Sequence, residues 1–243
     1  MPHDPAPTEP LFLVPGLMCD AAVWQPVLPA LSPGRACHVI DHGNADSLEQ
    51  MARQLLTTAP ARFAIAGHSM GARVALEVLR QAPERVSRVA LLDTGYLARA
   101  AGAAGEEETH KRLALLDVAR KQGVRAMALQ WVRGMVHPQR LSDAALMEAI
   151  VTMFERKSAE TFERQLRALL QRPDASGVLR SIQVPSLVMC GRQDSWAPVA
   201  QHQAMHALIP GAALDVVENA GHMAPMEQPD AVASLLLRWL NAQ

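Results

Sequence analysis

Short apolar runs alternate along the chain with segments of helical periodicity. The apolar runs fall near residues 11–14, 36–40, 62–66, 87–92, 185–190 and 213–217. This alternation is typical of a mostly parallel sheet whose strands are connected by helices packed on its two faces. We therefore predict an α/β fold with about six strands.

The pattern changes between Tyr96 and about Gly177, where no strand-like run occurs and helical stretches follow one another. An amphipathic run follows the three glutamates at 106–108, and further helices are predicted over 123–136, 142–156 and 158–171. Ser142 and Ser158 precede the last two and are expected as their N-caps. The alanine- and glycine-rich stretch 100–105 is expected to be a mobile hinge into this helical insertion.

One predicted strand leads directly into a Gly-x-Ser-x-Gly sequence and then into a helical pattern. The segment is Ile-Ala-Gly-His-Ser-Met-Gly-Ala-Arg-Val at residues 65–74, with Ser69 at its centre. This context is that of a nucleophile elbow, a strained strand-to-helix turn that exposes the serine hydroxyl. Side chains two residues before and after that serine would collide with neighbouring backbone, which explains Gly67 and Gly71. The sequence therefore predicts Ser69 as a nucleophile.

A serine hydroxyl needs a base and a group that orients the base. His222 follows the last predicted strand and is our candidate base, and Asp194 follows the strand at 185–190 and is our candidate acid. Asp93 ends the strand at 87–92 and is the alternative acid. The chain order serine, aspartate, histidine is one of the known orders for this set of groups.

Three motifs resemble those of the α/β-hydrolase superfamily, and the likeness covers nearly the whole chain. They are Gly-His-Ser-Met-Gly at 67–71, Gly-Arg-Gln-Asp at 191–194, and Gly-His at 221–222 followed by Glu-Gln-Pro at 227–229. The resemblance is to compact, helix-capped serine esterases. It implies an α/β-hydrolase core over 1–95 and 178–243 and a helical cap over 96–177. It also implies an oxyanion hole made by the backbone N–H groups of Leu17 and Met70, although Pro-Gly at 15–16 stands where the family usually has His-Gly.

Composition and charge exclude several classes of function. The 243 residues are 49% hydrophobic and 19% charged with a formal net charge of −1, which gives no general attraction to nucleic acid or to anionic membranes. The N-terminus lacks the pattern of a signal peptide, and no window is long enough to span a membrane, so a cytoplasmic protein is expected. The three cysteines suggest reduced, mostly buried residues and no disulfide. The sequence leaves the oligomeric state open.

No cofactor or metal is expected. His202 and His206 have the i, i+4 spacing of a metal pair, but no third ligand is nearby in the sequence, so a solvated helix face is the preferred interpretation. His68 is expected to pack inside the elbow, and Asp41 with His42 to organise a turn.

The predicted reaction is acyl transfer to water through an acyl-enzyme, with a small carboxylic ester as substrate. Thioester, lactone or carbon–carbon bond hydrolysis, a lyase that uses the serine–histidine pair as a base, and a ligand receptor on the same fold are the alternatives. The predicted pocket is apolar and formed by Met18, Tyr96, Trp196 and Met223. We therefore expect neutral acyl chains to be preferred over acyl chains that end in carboxylate. Three arginines of the helical insertion are candidates for a cation in the pocket, although solvated positions are favoured for them: Arg125, Arg133 and Arg167.

Overall fold

The computed structural model describes residues 9–242. Within them, a six-stranded sheet has the order β2-β1-β3-β4-β5-β6, and every pair of neighbouring strands is parallel. The strands are β1 Leu11–Val14, β2 Cys37–Val39, β3 Phe63–His68, β4 Val86–Leu92, β5 Ser186–Gly191 and β6 Ala213–Val217. All six predicted apolar runs are therefore strands, and the predicted fold class is confirmed. The signal-peptide prediction concerns residues 1–8 and lies outside the described residues.

The central strands are apolar because helices cover both faces of the sheet. Every residue of β1, β3 and β5 is buried, whereas β2 and β6, at the two edges, are partly exposed. A strand buried on both faces cannot alternate apolar and polar residues, so it has the continuous apolar runs seen in the sequence. β3, which leads to Ser69, lies between β1 and β4 inside the sheet.

The helices on the sheet are α1 Leu28–Leu31, α2 Leu48–Thr58, α3 Met70–Gln81, α9 Val199–His206, α10 Ala224–Glu227 and α11 Pro229–Asn241, with 3-10 turns at Ala21–Val23 and Pro83–Arg85. The helix α3 follows Ser69 directly and buries one long face that includes Val74, Ala75 and Val78. This burial anchors the helix whose first residue adjoins the candidate nucleophile.

The chain between β4 and β5 contains helices and no strand, as predicted. They are α4 Ala103–Gln122, α5 Val124–Trp131, α6 Ala144–Glu155, α7 Ala159–Leu170 and α8 Ser176–Ser181, with 3-10 turns at Val132–Gly134 and Pro138–Ser142. Residues 96–177 are called the helical insertion below. Ser158 caps α7 as expected, but the cap of α6 is Asp143, because its carboxylate accepts the N–H of Leu146 while Ser142 ends the preceding 3-10 turn.

The stretch 100–105, expected from the sequence to be a mobile hinge, is helical in its second half. The helix α4 begins within it, at Ala103, and Gly105 is buried against the carbonyl of Ala100.

Over residues 9–242, no helix combines the length and the apolar character needed to cross a membrane. Cys19, Cys37 and Cys190 are free thiols, and the first and last of these are buried.

Candidate active site

Ser69 occupies the single-residue turn between β3 and α3. Its φ of 55° and ψ of −117° lie in a region that a non-glycine residue rarely adopts, so the turn is strained. A Cβ on Gly67 would collide with the backbone of Gly71 and Ala72, and a Cβ on Gly71 would collide with the carbonyl of Val14. The two glycines of the motif are therefore required by close backbone approach, as the sequence predicts.

The structure brings the serine, histidine and acid candidates together at the carboxyl edge of the sheet. His222 Nε2 lies 2.8 Å from Ser69 Oγ, and His222 Nδ1 lies 2.8 Å from Asp194 Oδ2. The three side chains come from turns that follow β3, β5 and β6. A base within hydrogen-bond distance of a hydroxyl, and itself held by a carboxylate, is the arrangement that activates a serine for attack.

Asp194 is held as a carboxylate by its hydrogen bonds. Its Oδ1 accepts the N–H groups of Trp196 and Ala197, both at 2.9 Å, and its Oδ2 faces His222. Burial by itself would raise the pKa of Asp194, but the attraction of His222 and these hydrogen bonds outweigh it and keep that pKa below its ordinary value. An ionised carboxylate against Nδ1 favours the tautomer in which Nε2 is the proton acceptor.

Asp93, the alternative acid, does not contact His222. It is fully buried, its Oδ1 accepts the N–H of Gly191 at 2.9 Å, and its Oδ2 has no hydrogen-bond partner among the described residues. Burial first, and then the negative charge of Asp194, raise the pKa of Asp93 well above its ordinary value. The geometry therefore selects Asp194 as the partner of the histidine.

Glu227 fixes the loop that carries His222, a role that the sequence reasoning missed. Its Oε1 accepts the N–H groups of Gly221 at 2.9 Å and Met223 at 3.2 Å, and its Oε2 accepts the N–H of His137 at 2.6 Å. Since His137 belongs to the helical insertion, one buried carboxylate joins the insertion to both neighbours of the histidine. The N–H of His222 also donates to the carbonyl of Met135. In the sequence, this role is indicated by the position of Glu227, five residues after His222.

The candidate oxyanion donors lie on either side of Ser69. Met70 is the first residue of α3, so its N–H has no partner within the helix. The N–H of Leu17 has no acceptor among the described residues. The next residue, Met18, has a φ of 62°, and its N–H donates to the buried Gln165 Oε1 at 2.7 Å. A side chain of α7 therefore fixes the loop that presents Leu17, which the sequence did not indicate.

Comparison with known proteins shows the family of the chain. The model of the alpha/beta hydrolase family matches residues 11–235. The chain is 30% identical to a pimeloyl-[acyl-carrier protein] methyl ester esterase from Photobacterium profundum, over 93% of this chain and 92% of the relative. It is 26% identical to the protein of the same name from Nitrosomonas europaea, over 92% of each chain. The structure of an esterase from Thermogutta terrifontis superposes with a TM-score of 0.83 at 24% identity, covering 96% of this chain and 89% of that one.

The chain belongs to the alpha/beta hydrolase family. The family match extends over almost all of the described residues and includes Ser69, Asp194 and His222.

A cavity of about 570 Å³ opens beside Ser69 in this hydrolase. Near the serine, its walls are mostly apolar and come from the core and from the helical insertion: Leu17, Met70, Trp131, Met135, Phe154, Trp196 and Met223. The rings of Trp131 and Trp196 stack with centroids 5.6 Å apart, so the insertion and the loop of Asp194 share one aromatic wall. Trp196 and Met223, which the sequence suggests as pocket residues, are among the residues that line this cavity.

Two predicted pocket residues do not line this cavity. Met18 is fully buried, because its backbone conformation and its bond to Gln165 turn it into the core beneath the loop of Leu17. Tyr96 packs against the core while its carbonyl accepts the N–H of Ala175. Both predictions relied on nearness in sequence to the site, which does not fix the direction of a side chain.

Each of the four other histidines considered from the sequence has a hydrogen-bond partner. His202 is fully buried, which corrects the predicted solvated face: its Nε2 accepts the N–H of Thr94 at 3.0 Å. His206 Nε2 lies 3.0 Å from the carbonyl of Ala212. His68 is buried as expected and donates from Nε2 to the carbonyl of His222 at 2.7 Å, while His42 bonds the carbonyl of Pro15 at 2.9 Å. Within residues 9–242, no group of acidic, histidine or cysteine side chains is placed to hold a metal ion.

The cavity is not apolar throughout, which corrects the sequence prediction. Three arginines line the end that lies against α4: Arg73, Arg112 and Arg172. The cations considered from the sequence lie elsewhere: Arg125 pairs with Glu148 and Glu155, Arg167 pairs with Asp46, and Arg133 is exposed. The favoured interpretation of those three as surface residues agrees with the structure.

Proposed function

We propose that this hydrolase cleaves a small carboxylic ester through an acyl-enzyme on Ser69. The observation that carries the proposal is the continuous hydrogen-bonded series from Ser69 Oγ through His222 to Asp194, with 2.8 Å at each step. Ester hydrolysis is also the activity in the names of several relatives, which include a carboxylesterase from Bacillus subtilis that is 26% identical over 97% of this chain. The names of the relatives support ester hydrolysis, and the geometry supports the serine mechanism.

In the proposed mechanism, Ser69 Oγ attacks the ester carbonyl while His222 Nε2 takes its proton. The negative charge on the carbonyl oxygen is received by the N–H groups of Leu17 and Met70. His222 then gives the proton to the leaving alcohol, and an acyl-enzyme remains. Water repeats the sequence, with His222 again as base, and releases the acid and the free serine. Asp194 orients the imidazole and stabilises its protonated form throughout.

The helical insertion acts in this proposal as a cap, residues 96–177, over a core formed by 1–95 and 178–243. It contributes Trp131, Met135 and Phe154 to the wall of the cavity beside Ser69. Excluding water there strengthens the hydrogen bonds to the oxyanion, because the local dielectric constant falls. The bonds from Met135 and Glu227 to the loop of His222 tie the cap to the base.

The test is covalent labelling with a fluorophosphonate, followed by peptide mapping and by hydrolysis of p-nitrophenyl butyrate. We expect the label on the peptide that contains Ser69, and a burst of p-nitrophenol that reports the acyl-enzyme. Ser69→Ala should lose the label and the hydrolysis, while Ser234→Ala, which removes an exposed hydroxyl on α11, should keep both. Label on another peptide, or elimination chemistry without a burst, would overturn the proposal.

A further inference from the structure

Three arginines from three separate elements converge at the end of the cavity that lies against α4. Arg73 comes from α3, Arg112 from α4 and Arg172 from the turn after α7, and all three line the same cavity as Ser69 and His222. Lys111 adds a further positive charge at the rim, where it pairs with Glu107 at 3.2 Å. We call Arg73, Arg112 and Arg172 the arginine cluster.

The cluster has fewer negative charges than positive ones. Glu108 serves two of its members: Arg172 donates to both carboxylate oxygens, at 2.8 and 2.7 Å, and Arg112 Nε lies 2.9 Å from Oε1. Arg73 donates at 3.1 Å to the carbonyl of Leu97, and no carboxylate of the described residues lies within 4 Å of it. Two of the three guanidinium groups therefore share the carboxylate of Glu108, and the third, Arg73, pairs with no carboxylate of the described residues.

Arg73 is not an ordinary arginine on a solvated surface. Its side chain is half-buried, and a Cβ on Gly95 would lie 3.0 Å from its Nη2, so the guanidinium is packed against the loop after β4. Burial first, and then the positive charge of Arg172, lower the pKa of Arg73 to about 9. An added anion would be favoured here, because a guanidinium fork binds a carboxylate with two parallel hydrogen bonds.

We propose that the arginine cluster is an anion subsite that binds a carboxylate at the far end of the substrate while the ester lies at Ser69. The inference rests on the proposed ester hydrolysis and narrows it to esters whose acyl chain ends in a carboxylate. Arg73 follows Ser69 by four positions along α3, a rise of about 6 Å, so one acyl chain of a few methylenes can reach both. This reverses the preference for neutral acyl chains that the sequence predicted.

The direct test compares esters that differ only in the distal charge. Wild-type kcat/KM is measured in a pH-stat at pH 7.5 for methyl hexanoate and for monomethyl adipate, which have the same number of carbons in the acyl chain. We expect monomethyl adipate to be preferred by roughly tenfold or more, the range for a partly buried charge-assisted hydrogen bond. Hydrolysis of methyl hexanoate with no preference for the adipate ester overturns the subsite alone. No hydrolysis of any ester, with no fluorophosphonate label, overturns the proposed function.

Substitutions that remove a positive or a negative charge from this end of the cavity distinguish recognition of the substrate carboxylate from structural damage. Arg73→Gln should reduce the adipate-to-hexanoate ratio of kcat/KM by about tenfold, mainly through KM. Glu108→Gln removes the competing carboxylate and should increase the same ratio. Arg125→Gln, a control in the helical insertion whose guanidinium is paired outside the cavity, should leave the ratio unchanged. If these residues have only a structural role, the three substitutions should change the adipate-to-hexanoate ratio by the same factor or leave it unchanged. Either result would contradict the inference.

A binding measurement on Ser69→Ala identifies the anion without turnover. Calorimetric titrations with monomethyl adipate, methyl hexanoate and inorganic phosphate are compared at low and at 0.5 M NaCl. We expect monomethyl adipate to bind more tightly than methyl hexanoate, with a difference that shrinks in high salt because the added charge is partly exposed. Phosphate binding tighter than that of monomethyl adipate would overturn the carboxylate assignment.

Discussion

The turns that follow β4 and β5 each place a buried aspartate at the same edge of the sheet. Asp93 comes from the first and Asp194 from the second, and both follow an apolar strand closely in the chain. Asp194 accepts two backbone N–H groups on one oxygen and faces His222 with the other. Asp93 accepts a single N–H, from Gly191. Burial and then the charge of Asp194 raise the pKa of Asp93, whereas, despite burial, the charge of His222 and the hydrogen bonds lower the pKa of Asp194.

The difference shows that position at a strand end makes a carboxylate a candidate, while its burial, the charges that face it and its hydrogen-bond donors together determine whether it is ionised. A buried carboxylate with several donors is stabilised as an anion, and one with few donors is favoured in its protonated form. In the proposed mechanism, only the ionised aspartate can stabilise a protonated imidazole while Ser69 attacks. The comparison therefore assigns the orienting role to one acid and a structural role to its neighbour.

The largest expected effect is the loss of the orienting acid. Asp194→Asn should lower kcat for p-nitrophenyl butyrate on the order of 10⁴-fold, because the amide no longer favours the tautomer in which Nε2 accepts the proton. Asp93→Asn should cost less than about tenfold, since it preserves shape and does not contact His222. If Asp93→Asn proves the more damaging change, the comparison fails.

Glu227 is a third carboxylate at this edge, and it positions the base without contacting Ser69. Its substitution therefore extends the comparison of Asp93 with Asp194. Glu227→Gln keeps the side-chain shape but replaces one acceptor oxygen with an amide that faces a backbone N–H. Burial raises the pKa of Glu227 while three backbone donors oppose that change. We expect kcat to fall about 10- to 100-fold with a smaller change in KM, because an unsatisfied buried donor costs roughly 1–3 kcal/mol. Unchanged kcat with lowered thermal stability would assign Glu227 a structural role only.

The stability of the two aspartate variants should respond to pH differently. Because its folded pKa is raised, Asp93 retains its proton in the folded state after the unfolded chain has released it, so its contribution to stability decreases as pH rises above 3.8. Asp194 has a lowered folded pKa, so its contribution is present above 3.8 and is lost only as pH falls below it. Relative to wild type, Asp93→Asn should gain unfolding free energy between pH 5 and 8, by at most about 1.4 kcal/mol per pH unit.

Urea denaturation at each pH measures this difference. For Asp194→Asn, the difference from wild type should not show this steady gain over the same range, because Asp194 itself titrates below it. Parallel curves for the two variants would contradict the assignment of a protonated Asp93.

The smallest effect on kcat is expected from a substitution on the opposite side of Ser69 from the two aspartates. Gln165→Leu removes the acceptor of the Met18 N–H and should loosen the loop that presents Leu17. We expect kcat to decrease about three- to tenfold. This is less than the roughly 10²-fold or greater decrease that follows when an oxyanion donor is removed. Gln165→Glu restores an acceptor and should recover part of the activity. Equal losses in both variants would argue against positioning through this hydrogen bond.

The sequence by itself determined the features that depend on neighbouring residues. The six strands follow from runs of apolar residues, because a strand covered on both faces must be apolar throughout. The elbow follows from Gly67, Ser69 and Gly71, because the close backbone approach it requires is set within a few residues. The order of Ser69, Asp194 and His222 after successive strands was enough to predict their meeting, because parallel strands end at one edge of the sheet.

Only the tertiary structure decided which distant groups are partners. Glu227 meets His137, and Gln165 meets Met18, across separations of 90 and 147 residues, and no local pattern encodes such contacts. The same holds for the arginine cluster, whose three members come from different elements, and for His202, whose burial depends on the loop after β4. Periodicity tells which face of an element is apolar, whereas the surroundings of a polar side chain depend on how separate elements pack.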